Sequence, residues 1–149
     1  MKPDLITIYK QLSQKDIRLL HHLYLFRCLT IRQSLHTIYD DDYLGLENFL
    51  TQKVENLKSL GVIEVVSFGI SNQALFLTTK GVDILREVIQ LPTEIFNPDT
   101  KTYQRGYYRA GELRMNPRLV NHQIHLNQFV LELFQYAESQ NIGWNYYDE

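Results

Sequence analysis

Hydrophobic positions along the chain follow two periods, and the order in which these alternate predicts the architecture. Over Gln14–Phe26 the apolar residues Ile17, Leu19, Leu20, Leu23 and Tyr24 recur at helical spacing. Ser13 precedes them as an N-cap, and Asp16, three residues on, answers it. A second helix is expected over residues 31–39, capped by Thr30, with Ile31, Leu35, Ile38 and Tyr39 on one stripe. Asp40, Asp41 and Asp42 end it and open a loop to Gly45. A third helix is expected over residues 46–60, because Leu46, Leu50, Val54 and Leu57 stand four, four and three residues apart. Gly61 sits where a glycine C-cap belongs.

The period then changes. Residues 62–66 and 74–78 read as two short apolar strands, and the loop between them holds Gly69, Ser71 and Asn72, so the pair predicts a hairpin. Thr79 is expected to cap a fourth helix over residues 80–89, with Val82, Leu85 and Val88 inward and Pro92 marking the exit. Residues 91–117 show little periodicity and read as a linker or arm, and residues 1–12 as a mixed leader. The clearest amphipathic helix covers residues 120–137, with Val120, Ile124, Phe129, Leu131, Leu133, Phe134 and Ala137 apolar and Asn141-Ile142-Gly143 as its stop. Residues 144–147 look like the start of a strand, which points to a longer protein.

The expected fold is therefore mainly α with a small β-hairpin: a winged helix-turn-helix domain over residues 1–90, a basic and aromatic arm over 91–118, and a C-terminal helix with a strand start over 119–149. That last region is either a dimer element, the beginning of a second domain, or a helix folded back on its own domain. A winged helix-turn-helix places one helix where it can enter a DNA major groove, so the pattern speaks of a binding partner before it speaks of a reaction.

Composition constrains this picture. The chain has 149 residues, 44% of them apolar, enough for a core of its own. The single cysteine, Cys28, excludes an internal disulfide and is expected as a buried thiol, which fits a reducing cytoplasm. No stretch has the length of a signal peptide's apolar run or of a membrane span. The net charge of −2 argues against a purely electrostatic nucleic-acid binder, so the cations have to be concentrated locally for DNA binding to work.

The third helix offers the chemistry for base reading. Asn48, Thr51, Gln52, Glu55, Asn56 and Ser59 lie opposite its apolar stripe, with Lys53 and Lys58 flanking. Asn and Gln pair bidentately with adenine, and Thr meets a thymine methyl or a phosphate. Arg32 and Ser34, near the positive end of the second helix, are candidates to hold phosphates. A solvated face is the plain alternative for all of these. Phe68 and Ile70 stand at the hairpin tip where a minor-groove wing carries cations, and are expected to pack rather than to wedge a base step. Lys101, Arg105, Arg109, Arg114 and Arg118, with only Glu112 among them, interleave with Tyr103, Tyr107 and Tyr108. Cations with aromatics suit a nucleic-acid arm. The same residues equally suit an arm that packs its tyrosines inward.

Other chemistry is weaker. His21-His22 and His122-x-x-His125 lack a thiol or an acidic neighbour to complete a metal site, and Asp40–Asp42 lacks the ligand alternation of a calcium loop. Neither a glycine-rich phosphate loop nor a Gly-x-Ser-x-Gly elbow is present. No metal, cofactor or enzyme activity is expected. The one reservation is that Asp148 and Glu149 would suit a catalytic sheet continued beyond them.

Four motifs carry a family resemblance. They are Asp16-x-x-Leu19-Leu20-x-x-Leu23; Leu29-Thr30 opening the second helix; Leu57-x-x-Leu60-Gly61-Val62-Ile63; and Phe76-Leu77-Thr78-Thr79-Lys80-Gly81. His122 is then followed, after four intervening residues, by Asn127-Gln128, with Trp144 after the long helix. The chain resembles the replication-relaxation family, winged-helix proteins of plasmids and mobile elements, with Gln128 where that family tends to have Glu. The resemblance covers most of the chain and implies sequence-specific binding of double-stranded DNA at a plasmid replication or transfer locus, or in its regulation. The residue-level reading adds a homodimer, whose two-fold axis would set two reading helices about 34 Å apart, one turn of DNA. It leaves room for a further protein partner at the C-terminal helix. The alternatives are a winged-helix transcription repressor, which needs the same groove contacts, and a protein-interaction module that has lost DNA binding.

Overall fold

The computed structural model describes residues 1–38, 47–70 and 72–141. It is a mixed α/β arrangement dominated by helices, with a small antiparallel sheet and a long C-terminal helix. The expectations at Tyr39, Asp40–Asp42, Gly45, Leu46, Ser71 and the segment from Ile142 onward, Trp144 included, fall outside the described residues.

The chain opens with α1 (Pro3–Tyr9), where a leader was expected; Pro3 starts it and Leu5 buries. Helix α2 (Gln14–Phe26) has the expected bounds. Ser13 Oγ accepts from the Asp16 amide at 3.2 Å, and Asp16 Oδ2 accepts from the Ser13 amide at 2.7 Å. The two together satisfy donors that a helix start leaves open. Arg27, at φ +67°, then turns the chain into a strand that periodicity does not show, β1 (Cys28–Leu29). Helix α3 (Ile31–Ile38) is capped by Thr30, whose Oγ1 accepts from the Gln33 amide at 3.1 Å while Gln33 Oε1 accepts from the Thr30 amide at 3.2 Å.

Helix α4 (Glu47–Ser59) buries Leu50, Val54 and Leu57 and ends at Gly61. At φ +74° the glycine lets the Gly61 and Val62 amides reach back to the Lys58 and Leu57 carbonyls. Strands β2 (Ile63–Phe68) and β3 (Asn72–Leu77) form the hairpin, longer than expected and with a tighter turn at Gly69-Ile70. Their register pairs Ile63 with Leu77 and Phe68 with Asn72, and β1 adds to the other edge of β3, giving the order β1-β3-β2. Thr78, one residue before the expected cap, caps α5 (Thr79–Val88): its Oγ1 accepts from the Gly81 amide and donates to the Gly61 carbonyl at 2.6 Å. A Cβ on Gly81 would lie 2.3 Å from the Val62 carbonyl oxygen, so only glycine lets α5 start against the end of α4.

The expected arm is structured. It forms a second hairpin, β4 (Glu94–Asn97) with β5 (Thr102–Arg105), then a short helix α6 (Ala110–Leu113) whose Leu113 is buried. Helix α7 (Pro117–Ser139) starts at Asn116, whose Oδ1 accepts from the Arg118 amide at 3.0 Å. No helix among the described residues is long and apolar enough to cross a membrane.

The sheet is covered on both faces. Leu29, Ile63, Leu75 and Leu77 join the main core built from α2, α4 and α5. Cys28, Phe68, Ala74 and Phe76 point to the opposite face and meet Val120 of α7. This explains why residues 74–77 are continuously apolar rather than alternating. Asn127 anchors α7: its Nδ2 donates to the Phe26 and Cys28 carbonyls at 3.1 and 2.6 Å, and its Oδ1 accepts from Gln123 Nε2 at 2.9 Å. Gln33 Nε2 adds a bond to the Ile124 carbonyl at 2.9 Å. The long helix thus folds back on its own domain along one face.

Candidate nucleic-acid interface

Helix α4 is held by its apolar stripe, so the opposite arc is forced outward. Asn48, Thr51, Gln52, Glu55, Asn56, Lys58 and Ser59 are all exposed. Asn48, Gln52 and Asn56 stand one turn apart, forming a row of amides. Phe49, half exposed, sits beside them with the Lys53 ammonium 5.7 Å from its ring centre. Lys53 itself does not flank this face as a phosphate contact. Its Nζ lies 2.6 Å from Asp16 Oδ1 and 3.1 Å from Ser13 Oγ, so it closes the α2 cap against α4. Burial raises the Asp16 carboxyl, but the hydrogen bonds from Lys53 and Ser13 outweigh it and hold the group below the usual carboxylate range.

Helix α3 contributes less than its sequence implied. Arg32 is exposed, but Ser34 is fully buried and its Oγ donates to the Thr30 carbonyl at 2.9 Å. It lies on the inward stripe beside Leu35, so it is not a phosphate contact. Arg32 instead edges a cleft of about 340 Å³ between the start of α3 and α7, which Thr30, Gln33, Ile124, His125 and Gln128 also line.

The basic segment is partly neutralised from within. Arg105 forms an ion pair with Glu112, its Nε donates to the Tyr107 carbonyl at 2.9 Å, and its guanidinium sits 5.5 Å from the Tyr107 ring. Arg105 is therefore a brace of the arm and not an outward cation. Arg86 stacks on the same ring at 4.0 Å. Arg114 pairs with Glu64 of β2 and lies 5.4 Å from the Phe76 ring. Lys101, at φ +54° in the turn of the second hairpin, and Arg109, whose amide donates to Glu112 Oε2 at 2.6 Å, stay exposed. The Glu112 carboxyl is held below its ordinary range, first by the Arg109 backbone bond and then by the neighbouring arginines. Tyr24 Oη accepts from the Tyr108 amide at 2.8 Å, so this tyrosine pairing ties the arm to α2. Tyr103 remains exposed, edge-on to Phe96 at 5.4 Å.

At the tip of the first hairpin the two apolar residues part company. Phe68 packs into the small core beside Cys28 and Val120, as expected, whereas Ile70 is 92% exposed. The amides of α4 and Lys58 thus share one helix, Arg32 belongs to the cleft beside α7, and Lys101, Arg105 and Arg109 belong to an arm that packs on α2, α5 and β3. Gln33 and Asn127 do their work inside, where an amide's two-sided hydrogen bonding anchors one element on another; no local sequence signal separates such an amide from a surface one.

Among the described residues the remaining titratable groups form no reactive cluster. Burial pushes the Cys28 thiol up to about 12. Burial, helped by Arg18 and His21, brings the His22 imidazole down to about 4. Among the described residues no group of three His, Cys, Asp or Glu side chains converges to hold a metal ion. In the comparisons with known proteins, no family model, no curated protein and no solved structure matches this chain.

Proposed function

We infer that this chain is a winged helix-turn-helix protein that binds double-stranded DNA with sequence preference, α4 lying in the major groove. The supporting observation is the exposed row Asn48, Gln52 and Asn56 on the second helix of an α3–α4 pair, beside a hairpin. Side-chain amides are the groups that read adenine, and Glu55 beside them accepts from cytosine N4. Arg32, Lys58, Lys101 and Arg109 are the exposed cations among the candidate DNA-contacting residues. Because Lys53 and Arg105 are held in internal ion pairs, electrostatics contribute less here than the charge count alone implies. The motif resemblance to the replication-relaxation family supports a role in replication, transfer or regulation of a plasmid or mobile element; a chromosomal repressor would use the same contacts.

The test is selection of duplexes from a random library, followed by affinity across a salt series. Three or four phosphate contacts give a log–log slope of about −2.7 to −3.6. Gln52→Ala is expected to lower discrimination at one base pair by about 1–3 kcal/mol if its contact is bidentate. An unenriched library, or a Gln52→Ala protein with unchanged preference, refutes α4 as the reader. A second reading, a protein-interaction module that keeps the fold without DNA, is favoured by Ile70 at the bare hairpin tip and by the acidic net charge. It predicts affinity for a partner that salt barely changes.

A further inference from the structure

Helix α7 buries one face against the rest of the protein, through Val120, Asn127, Val130, Leu131 and Ala137, with Val120 on the sheet and Val130 and Leu131 in the main core. A different face is also apolar. Leu119, His122, Leu126, Phe129, Leu133 and Tyr136 alternate at spacings of three and four, the a and d positions of a heptad repeat, over most of the helix. Leu119, Leu126, Phe129 and Tyr136 leave 57%, 41%, 58% and 61% of their surface exposed. A solvated face does not need two large aromatics and two leucines in register, and contiguous apolar patches of this kind mark interaction sites.

We propose that this stripe is the seam by which two copies of the chain pair, with their α7 helices antiparallel. The stripe is self-complementary about the midpoint between residues 127 and 128. A two-fold axis there sets Leu126 opposite Phe129 of the partner subunit, Leu119 opposite the partner's Tyr136, and His122 opposite the partner's Leu133. Isologous pairing requires this self-matching. The flanking column chooses the direction. In the antiparallel pair, g positions face g positions, which brings His125 against Glu132 of the partner subunit, twice, across the axis. In a parallel pair g faces e, and these same residues would meet Val130 and Ala137, which are already buried in their own domain. Because the e column faces inward, antiparallel pairing sets both domain bodies on one side of the helix pair, diverging from it.

The area agrees with a reversible dimer. The four exposed residues supply about 400 Å² per copy, taking about 200 Å² for each full side chain. The seam alone then buries roughly 800 Å² in total, and the flanking residues bring it toward the roughly 1,000 Å² of a specific but weak interface.

The pairing does not rest on DNA binding and is tested without it. Sedimentation velocity of the full chain from about 1 to about 200 µM spans the range in which so small an interface dissociates. A concentration-dependent dimer is expected. Phe129→Asp should shift the dissociation constant at least about tenfold toward monomer, as a charge placed in a desolvated seam does. Asn121→Asp, on the polar face, should leave it unchanged. Circular dichroism checks that the Phe129→Asp protein is folded; Leu119→Lys, in the first turn, gives the same readout should it not be. For direction, the double variant His125→Cys with Glu132→Cys should oxidise to a covalent dimer, since the two positions lie two turns apart on one helix and cannot bridge within a chain. A monomer throughout the range, a dimer indifferent to both Phe129→Asp and Leu119→Lys, or efficient crosslinking through Leu126→Cys alone, which a parallel pair would give, overturns the proposal.

Discussion

Replacing Asn127 with leucine probes how α7 belongs to the rest of the protein. The residue is 1% exposed, and its Nδ2 supplies hydrogen bonds to two main-chain carbonyls, Phe26 at 3.1 Å and Cys28 at 2.6 Å. Leucine keeps the volume and removes both donors. Loss of the hydrogen bond to each of these buried carbonyls costs about 1–3 kcal/mol. Gln123, half-buried, can turn its amide to water, so its lost bond adds little. The expected loss is about 3 kcal/mol. For a chain of this size that lowers the melting temperature by about 6–12 °C. Urea unfolding followed by circular dichroism measures it, and a single transition with an unchanged slope is expected because α7 covers one face of the sheet. Asn127→Asp should cost more near neutral pH, where a carboxylate would face two carbonyls. Those carbonyls raise its folded-state pKa above the unfolded value of about 3.9, so its excess cost should shrink as pH falls toward that value. A Leu variant within 1 kcal/mol of the parent, or one that unfolds α7 in a separate step, refutes the anchoring role.

Four other outcomes follow from the same geometry. Gly81→Ala forces a Cβ to within 2.3 Å of the Val62 carbonyl and should cost about 3 kcal/mol by thermal denaturation, whereas a neutral result would mean that α5 can shift at its start. His22 is held down to about 4 chiefly by burial, so the unfolded chain binds its proton first; stability should fall by up to about 3 kcal/mol as pH drops from about 6.5 to about 4, and His22→Phe should flatten that slope. The buried Cys28 thiol should resist iodoacetamide in the native protein and react in urea, with rapid native labelling counting against the covered sheet face. Lys53→Ala should leave the salt slope of DNA binding unchanged while lowering stability by about 1 kcal/mol, because its ammonium serves Asp16; a slope reduced by one would return it to the phosphates.

Elements whose own residues carry both a periodic stripe and a terminal signal are legible in the sequence alone. Helix α2 lies between Ser13 and Phe26 as its cap and stripe demand, and α4 ends at Gly61 as its glycine demands. Strand β1 was not legible, because two residues display no period and are a strand only through pairing with Leu75 and Phe76. The second hairpin is hidden from the sequence for a related reason. Apart from Asn97 and Arg105, which are half-buried, its residues are exposed, so neither of its faces writes an apolar alternation. In the candidate interface, the amide row of α4 followed from its helical phase. The loss of Ser34, Lys53 and Arg105 did not, since each is withdrawn by a partner that local spacing cannot reveal.

Local rules are written in the residues themselves: where helices start and stop, which arc of α4 turns outward, and that a hairpin follows it. These depend on contacts within a few residues, and the chain writes them in its own spacing. Which polar groups remain available and which are consumed depends on long-range packing. Asn127 and Gln52 are alike as letters, an amide on a helix. One lies against the end of α2 where two carbonyls need donors, and the other faces outward. The difference is set by which element packs above each residue, a long-range fact that desolvation makes energetically decisive.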